Sequence, residues 1–270
     1  MKRTQDLAEK RVLVVGGGGD GIGRAICRAA ATAGANLAIV DRDESRALEA
    51  AHDVIKGGGR AVGVTGNVLT SSDIERFVAD AEAALGGLDV LVTVVGGHGA
   101  HAPWVPVSRT TDESWDLIMD LNVNYVFRVV RETLRVFERQ ATGGTIVSIG
   151  SIAGVINCPN GVAYGVAKAG LINLAATVAA EYGRKNIRMN VLSCGVVATP
   201  SGLVSQRQAP AMMDRIPMGR AATPEEVANG VLFLASEHSS YISGQNLNVD
   251  GAATVHYPLS LPGVDTAAAG

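Results

Sequence analysis

Three side chains between positions 151 and 168 have complementary chemistry: the hydroxyl of Ser151, the phenol of Tyr164 and the ammonium of Lys168. Tyr164 and Lys168 stand four apart in a stretch that favours a helix through Leu171, Leu174 and Val178, so both fall on one face, one turn apart. Ser151 follows a β-branched run, Thr145-Ile146-Val147-Ser148-Ile149, which reads as a buried strand and places Ser151 at its carboxyl end. A free phenol titrates near pH ~10, and a neighbouring ammonium favours the phenolate and draws that value toward neutrality. Tyr164 is thereby expected to act as an acid or a base. Ser151 can bond the oxygen of a carbonyl or alcohol, so that charge gathering there meets a donor already in place. Taken alone, Tyr-x-x-x-Lys on a helix also fits a half-buried Tyr beside a solvated Lys.

The elements that must position these groups are legible upstream. Arg11-Val12-Leu13-Val14-Val15 reads as a buried strand and runs into Gly16-Gly17-Gly18-Gly19-Asp20-Gly21-Ile22-Gly23, with a helix directly after it. Glycines between a strand and a helix start leave backbone N–H groups and the positive helix end free to hold a pyrophosphate. Gly57-Gly58-Gly59 precedes a strand and reads as a turn. The second strand, Asn36 to Val40, ends at Asp41, eighteen residues beyond Gly23, where an acid meets the adenosine ribose in dinucleotide folds. A carboxylate there accepts from the ribose hydroxyls and repels a 2′-phosphate, which favours NAD(H). The guanidinium of Arg42 argues for the phosphate instead. Asp41 could equally cap the following helix. Ala61 to Thr65 and Leu88 to Val92 read as further strands, with a helix between them capped by Ser71-Ser72-Asp73 and ended by Gly86-Gly87. Such β-α units describe a Rossmann-type, doubly wound parallel sheet of about seven strands with helices on both faces, its ligands lying beyond the strands' carboxyl ends.

Ser151, followed thirteen residues later by Tyr164-x-x-x-Lys168, together with Gly17-x-x-x-Gly21-x-Gly23, resembles the short-chain dehydrogenase/reductase family over roughly residues 9 to 252. The resemblance implies reversible hydride transfer between NAD(H) and a secondary alcohol or ketone. Phenolate Tyr164 would take the alcohol proton while Ser151 holds the oxygen and Lys168 lowers the phenol pKa and bonds the ribose. It implies a fourth catalytic residue at Asn122, the seventh after Trp115, bending its helix and holding a water that links Lys168 to solvent. A surface or capping Asn is the alternative. The implied cofactor contacts are Gly17, Gly21, Ile22, Gly23, Asp41, Arg42, Asn67, Val68, Gly96, Tyr164, Lys168, Gly195, Val197 and Thr199. Four departures stand out: Gly16 for the family's Thr, Asn67 for Asp, Thr93-Val94-Val95-Gly96 for Asn-Asn-Ala-Gly, and Cys194 for Pro. Thr93 is expected to replace part of the lost Asn bonding. Cys194 could be a reactive thiol near the nicotinamide or a buried inert one.

At 270 residues the chain fits one domain, with a substrate lid at 201–220 and a small, apolar tail at 253–270. A net charge of −3 with interspersed acids and bases offers no face for nucleic acid. The N-terminus has no apolar leader and no stretch is long enough for a membrane span, so a soluble, cytoplasmic protein is expected. Cys27, Cys158 and Cys194 are expected to be free thiols. His98 and His101 lack further ligands at suitable spacing, so no metal is expected, and their loop is assigned to the substrate mouth. Met212, Met213, Ile216 and Met218 suit an apolar substrate, or a lid helix packing on the body. Ala167, Ala169, Gly170, Ile172, Ala175, Ala176 and Ala179 make the Tyr164 helix apolar or small on nearly every side, and a family member buries such a helix in a dimer or tetramer; a homotetramer is expected. The rival readings are a 3-oxoacyl-thioester reductase acting on an acyl carrier protein or CoA substrate, and a non-catalytic NAD(H)-binding regulator.

Overall fold

A computed structural model describes residues 7–199 and 212–255. The Ser201, Leu203 and Val204 part of the expected lid, and the tail beyond position 255, lie outside the described residues. Seven parallel strands form one sheet in the order β3-β2-β1-β4-β5-β6-β7: β1 Arg11–Val15, β2 Asn36–Asp41, β3 Arg60–Thr65, β4 Val90–Thr93, β5 Gly144–Ser151, β6 Ile187–Cys194 and β7 Asn246–Val249. The order reverses between β1 and β4, leaving a crevice beyond their carboxyl ends where a dinucleotide docks in such folds.

Alternate residues of each strand face opposite layers, as the pleat requires. Leu13 and Val15 pack with Phe77, Val129 and Leu171, from α3 (Ser71–Leu85), α5 (Tyr125–Gln140) and α6 (Val162–Tyr182). Val12 and Val14 pack with Ile26, Val54 and Val231, from α1 (Ile22–Thr32), α2 (Glu44–Lys56) and α7 (Pro224–Ala235). Burial on both faces explains why β1 and β2 read as near-continuous apolar runs.

Two expected caps differ. Asp43, not Asp41, caps α2 by accepting from the Arg46 N–H. Thr70 occupies the cap position of α3, one residue before the Ser71-Ser72-Asp73 cluster, and Asp73 instead accepts from the Asn67 N–H at 2.7 Å. Gly86 ends α3 in a left-handed conformation, and Thr223 with Glu226 closes a capping box on α7.

Contrary to the expectation that no stretch is long enough for a membrane span, helix α6 and the turn after it are long and apolar enough to cross one by length and composition. Its Leu171, Ala175 and Val178 are buried in the core, so in this fold it covers the sheet. Val166, Ala169, Ala176 and Thr177 remain exposed along its outer side, beside half-exposed Phe127 of α5.

Candidate active site

Ser151 is the last residue of β5, and its Oγ accepts from the Ala153 N–H at 3.2 Å, shaping the turn that follows. Tyr164 and Lys168 rise from the first two turns of α6, with the Lys168 Nζ 5.7 Å from the centroid of the Tyr164 ring. The Lys168 Nζ donates to the Ile149 carbonyl at 3.0 Å, which ties the α6 ammonium to the end of β5.

Asn122 is fully buried in a π-helical turn, Asp120–Asn124, that joins α4 (Asp112–Met119) to α5. Its Oδ1 accepts from the Gly97 N–H at 2.9 Å, and its Nδ2 donates to the carbonyls of Gly97 and Ile118, each at 2.9 Å. The surface and helix-capping alternatives do not describe this residue. Gly96 lies against the cluster at a left-handed φ of +154°. A Cβ there would sit 2.7 Å from the Asn122 Oδ1 and 3.1 Å from the Lys168 Nζ, so both groups face the same point.

The expected pKa ordering is corrected. Burial pushes the Tyr164 phenol above its ordinary value, with the neighbouring Ser151 side chain lowering it in part. Burial also pushes the Lys168 ammonium down to about 8. In the protein alone, desolvation outweighs the attraction that was expected to draw the phenol toward neutrality.

The departures from the family pattern compensate one another. The Thr93 Oγ1 donates to the Ser148 Oγ at 2.9 Å, bonding β4 to β5 in place of part of the bonding of the family's Asn side chains, as expected. The buried Tyr125 hydroxyl donates to the Val95 carbonyl at 2.7 Å. Gly16 adopts φ +94°, and a Cβ on it would lie 2.7 Å from the Val95 Cγ2 and 2.9 Å from the Val95 N. Gly16 therefore makes room for Val95, and a Thr at 16 would not fit here. Cys194 is buried with its thiol pushed up to about 12, as an inert thiol requires; Cys27 and Cys158 are also unpaired.

Next to this cluster lies a cleft of about 260 Å³ lined in part by Gly16, Gly19, Asp41, Arg42, Asn67, Val68 and Gly96. Its glycine loop fits a diphosphate: a Cβ on Gly19 would meet nothing, which leaves the backbone open to an approaching group. Packing also requires glycine at 17 and 23, since a Cβ on Gly17 would lie 2.7 Å from Ile39 Cγ2 and one on Gly23 2.1 Å from the Gly16 carbonyl oxygen. Gly21 faces Thr199, whose Cγ2 is 3.5 Å from where its Cβ would be, so the loop and the segment after β6 meet. Val197 pairs with Ala222 in an isolated parallel bridge, and Gly195 lies against Asp250. The Asn67 Oδ1 is spent on the Leu69 N–H at 3.0 Å within its own turn.

The sequence reading missed Arg46, which lines the cleft with Asp41 and Arg42. Its signal was the short Asp41-Arg42-Asp43 connection, which starts α2 at Glu44 and turns Arg46 back toward the end of β2. Among the described residues no group of three or more His, Cys, Asp or Glu is placed to hold a metal.

A family model described as enoyl-(acyl carrier protein) reductase matches residues 17–254. The chain is 34% identical over 254 residues to 2-(S)-hydroxypropyl-CoM dehydrogenase 3 of Xanthobacter autotrophicus, covering 91% of this chain and 97% of that one. It is 34% identical over 252 residues to a 3-oxoacyl-(acyl-carrier-protein) reductase of Chlamydia muridarum, covering 91% and 98%. The solved structure of 7α-hydroxysteroid dehydrogenase complexed with NADH and 7-oxo glycochenodeoxycholic acid matches with a TM-score of 0.86 at 28% identity, over 92% of this chain and 95% of that one. Matched in sequence and in fold over most of its length, the chain belongs to the short-chain dehydrogenase/reductase family and is a hydride-transfer oxidoreductase acting on CH–OH donors with a nicotinamide cofactor.

Proposed function

We propose that the enzyme uses NAD(H) to interconvert a secondary alcohol, mainly apolar, and its ketone at the cluster of Asn122, Ser151, Tyr164 and Lys168. The observation that carries this reading is the position of the Lys168 Nζ, 5.7 Å from the Tyr164 ring centroid. Both groups stand beside the carboxyl end of β5 and next to the cleft. The bound nicotinamide supplies a hydride acceptor for oxidation and a hydride donor for reduction.

Burial favours the neutral phenol, so Tyr164 stands ready as the acid that protonates a ketone oxygen during reduction. In oxidation the Tyr164 phenolate takes the hydroxyl proton and becomes the phenol, while the carbinol carbon gives up a hydride and the C–O bond becomes a carbonyl. The Ser151 Oγ holds the substrate oxygen in both directions. Lys168 remains cationic below about pH 8 and supplies the positive charge that a phenolate needs. Asn122 holds the Gly97 backbone beside that ammonium, and on this reading also the water that returns protons to solvent.

The Asp41 carboxylate in the cleft supports NAD(H), by accepting from ribose hydroxyls and opposing a 2′-phosphate. The remaining contacts are assigned to Gly17, Gly21, Ile22, Gly23, Asn67, Val68, Gly96, Gly195, Val197 and Thr199. The exposed outer side of α6 beside Phe127 supports a homo-oligomer, a dimer or tetramer, and the three unpaired thiols suit the cytoplasm. Arg42 and Arg46 beside Asp41 favour the second reading, an NADPH-linked reductase of 3-oxoacyl thioesters. Tyr164→Phe is expected to lower kcat by at least about a thousandfold, within the range for a general acid–base group, while NADH titration by fluorescence changes little. Residual turnover within tenfold of the parent would overturn the reading. Faster turnover of acetoacetyl-CoA with NADPH than of any secondary alcohol with NAD+ would establish the second one.

A further inference from the structure

His98 lies on the loop between β4 and α4 and is only 7% exposed. Its ring centroid is 4.2 Å from that of Trp104 in an edge-on contact and 6.2 Å from that of Tyr164. Its Nε2 lies 3.2 Å from the Pro103 carbonyl oxygen, and a carbonyl can only accept, so Nε2 carries the hydrogen. Burial lowers the tendency of the ring to take a second proton, which leaves the imidazole neutral and its Nδ1 a bare acceptor. Among the described residues that Nδ1 has no hydrogen-bond partner, although it is buried. A buried acceptor without a donor is costly, and this one is closed to solvent in the protein alone, so a substrate hydroxyl pairs with it by displacing what covers it beside the phenol.

We propose that His98 is a specificity-determining residue whose Nδ1 accepts the O–H of a second hydroxyl, carried on a carbon close to the carbinol served by Tyr164. The proposal rests on the assignment of Tyr164 as the acid–base group and narrows the substrate class from secondary alcohols in general to diols or hydroxyketones. Trp104, half exposed and edge-on to the same imidazole, covers the carbon skeleton between the two oxygens. A site built to bond a hydroxyl discriminates strongly against an analogue that lacks it, because the protein acceptor is then buried unpaired.

The test compares trans-1,2-cyclohexanediol with cyclohexanol as substrates of the full chain with NAD+, read as the ratio of their kcat/KM values. A ratio of about ten in favour of the diol is expected for the parent enzyme, the scale of one well-made hydrogen bond. His98→Phe keeps a ring of similar size but has no acceptor, and should bring the ratio to near one. His98→Asn places an amide oxygen near the former Nδ1 position and should recover part of it. A ratio that is the same in parent and His98→Phe, or a parent that prefers cyclohexanol, would overturn the assignment of His98 alone. Oxidation of neither alcohol by the parent would overturn it together with the Tyr164 reading beneath it.

Discussion

Replacing Lys168 by Met isolates the cost of burying a charge beside the proposed active site. The Lys168 ammonium is 3% exposed, and its one described hydrogen bond runs to the Ile149 carbonyl. Burial lowers its pKa from 10.5 to about 8. Between those values the unfolded chain binds more protons than the folded one, so stability rises with pH in that window. At about 1.4 kcal/mol per pKa unit the full rise is about 3 kcal/mol, and roughly 1 kcal/mol of it falls between pH 7 and pH 9. Met has a similar length and no charge, so the variant should lose this rise. Urea unfolding of parent and Lys168→Met at both pH values and one protein concentration gives the difference, and the buried Cys27 thiol, pushed up to about 12, enters both curves alike. An equal change for the two proteins from pH 7 to pH 9 would refute the claim that this ammonium is held at a desolvation cost. Saturating NADH should flatten the parent's rise, because ribose hydroxyls give the ammonium new acceptors.

Asp41→Ala removes the carboxylate while leaving Arg42 and Arg46, and should raise the kcat/KM ratio of NADP+ over NAD+ by at least about tenfold; an unchanged ratio would remove Asp41 from cofactor selection. Gly16→Thr, which restores the family's residue, should destabilise the protein by about 2 kcal/mol or more by denaturant titration, given φ +94° and the contact with Val95. Adding Val95→Ala should recover less than half of that loss, since the Val95 backbone nitrogen obstructs Thr as well. Thr93→Val leaves the Ser148 Oγ without its buried donor and should cost about 1 kcal/mol in the same assay.

The fold was readable because its inner strands are buried on both faces and therefore appear as short apolar, often β-branched runs. Each is separated by a helix whose start is marked by Gly, Thr or Asp. The placement of the glycine loop and Asp41 at strand ends, and of Tyr164 and Lys168 side by side on one helix, was legible for a related reason. Their spacing along one strand end or one helix face already determines their relative placement within a few ångströms. What the chain could not state was how distant segments meet. Whether Thr93 finds Ser148, whether Gly16 yields space to Val95, and whether Asn122 reaches the Gly97 backbone depend on the packing of β1, β4, β5 and the π-helical turn. The sign of the Tyr164 shift was decided the same way. Spacing shows that a cation stands one turn from the phenol, but how much water each group loses is settled only when sheet, loop and helix close around them.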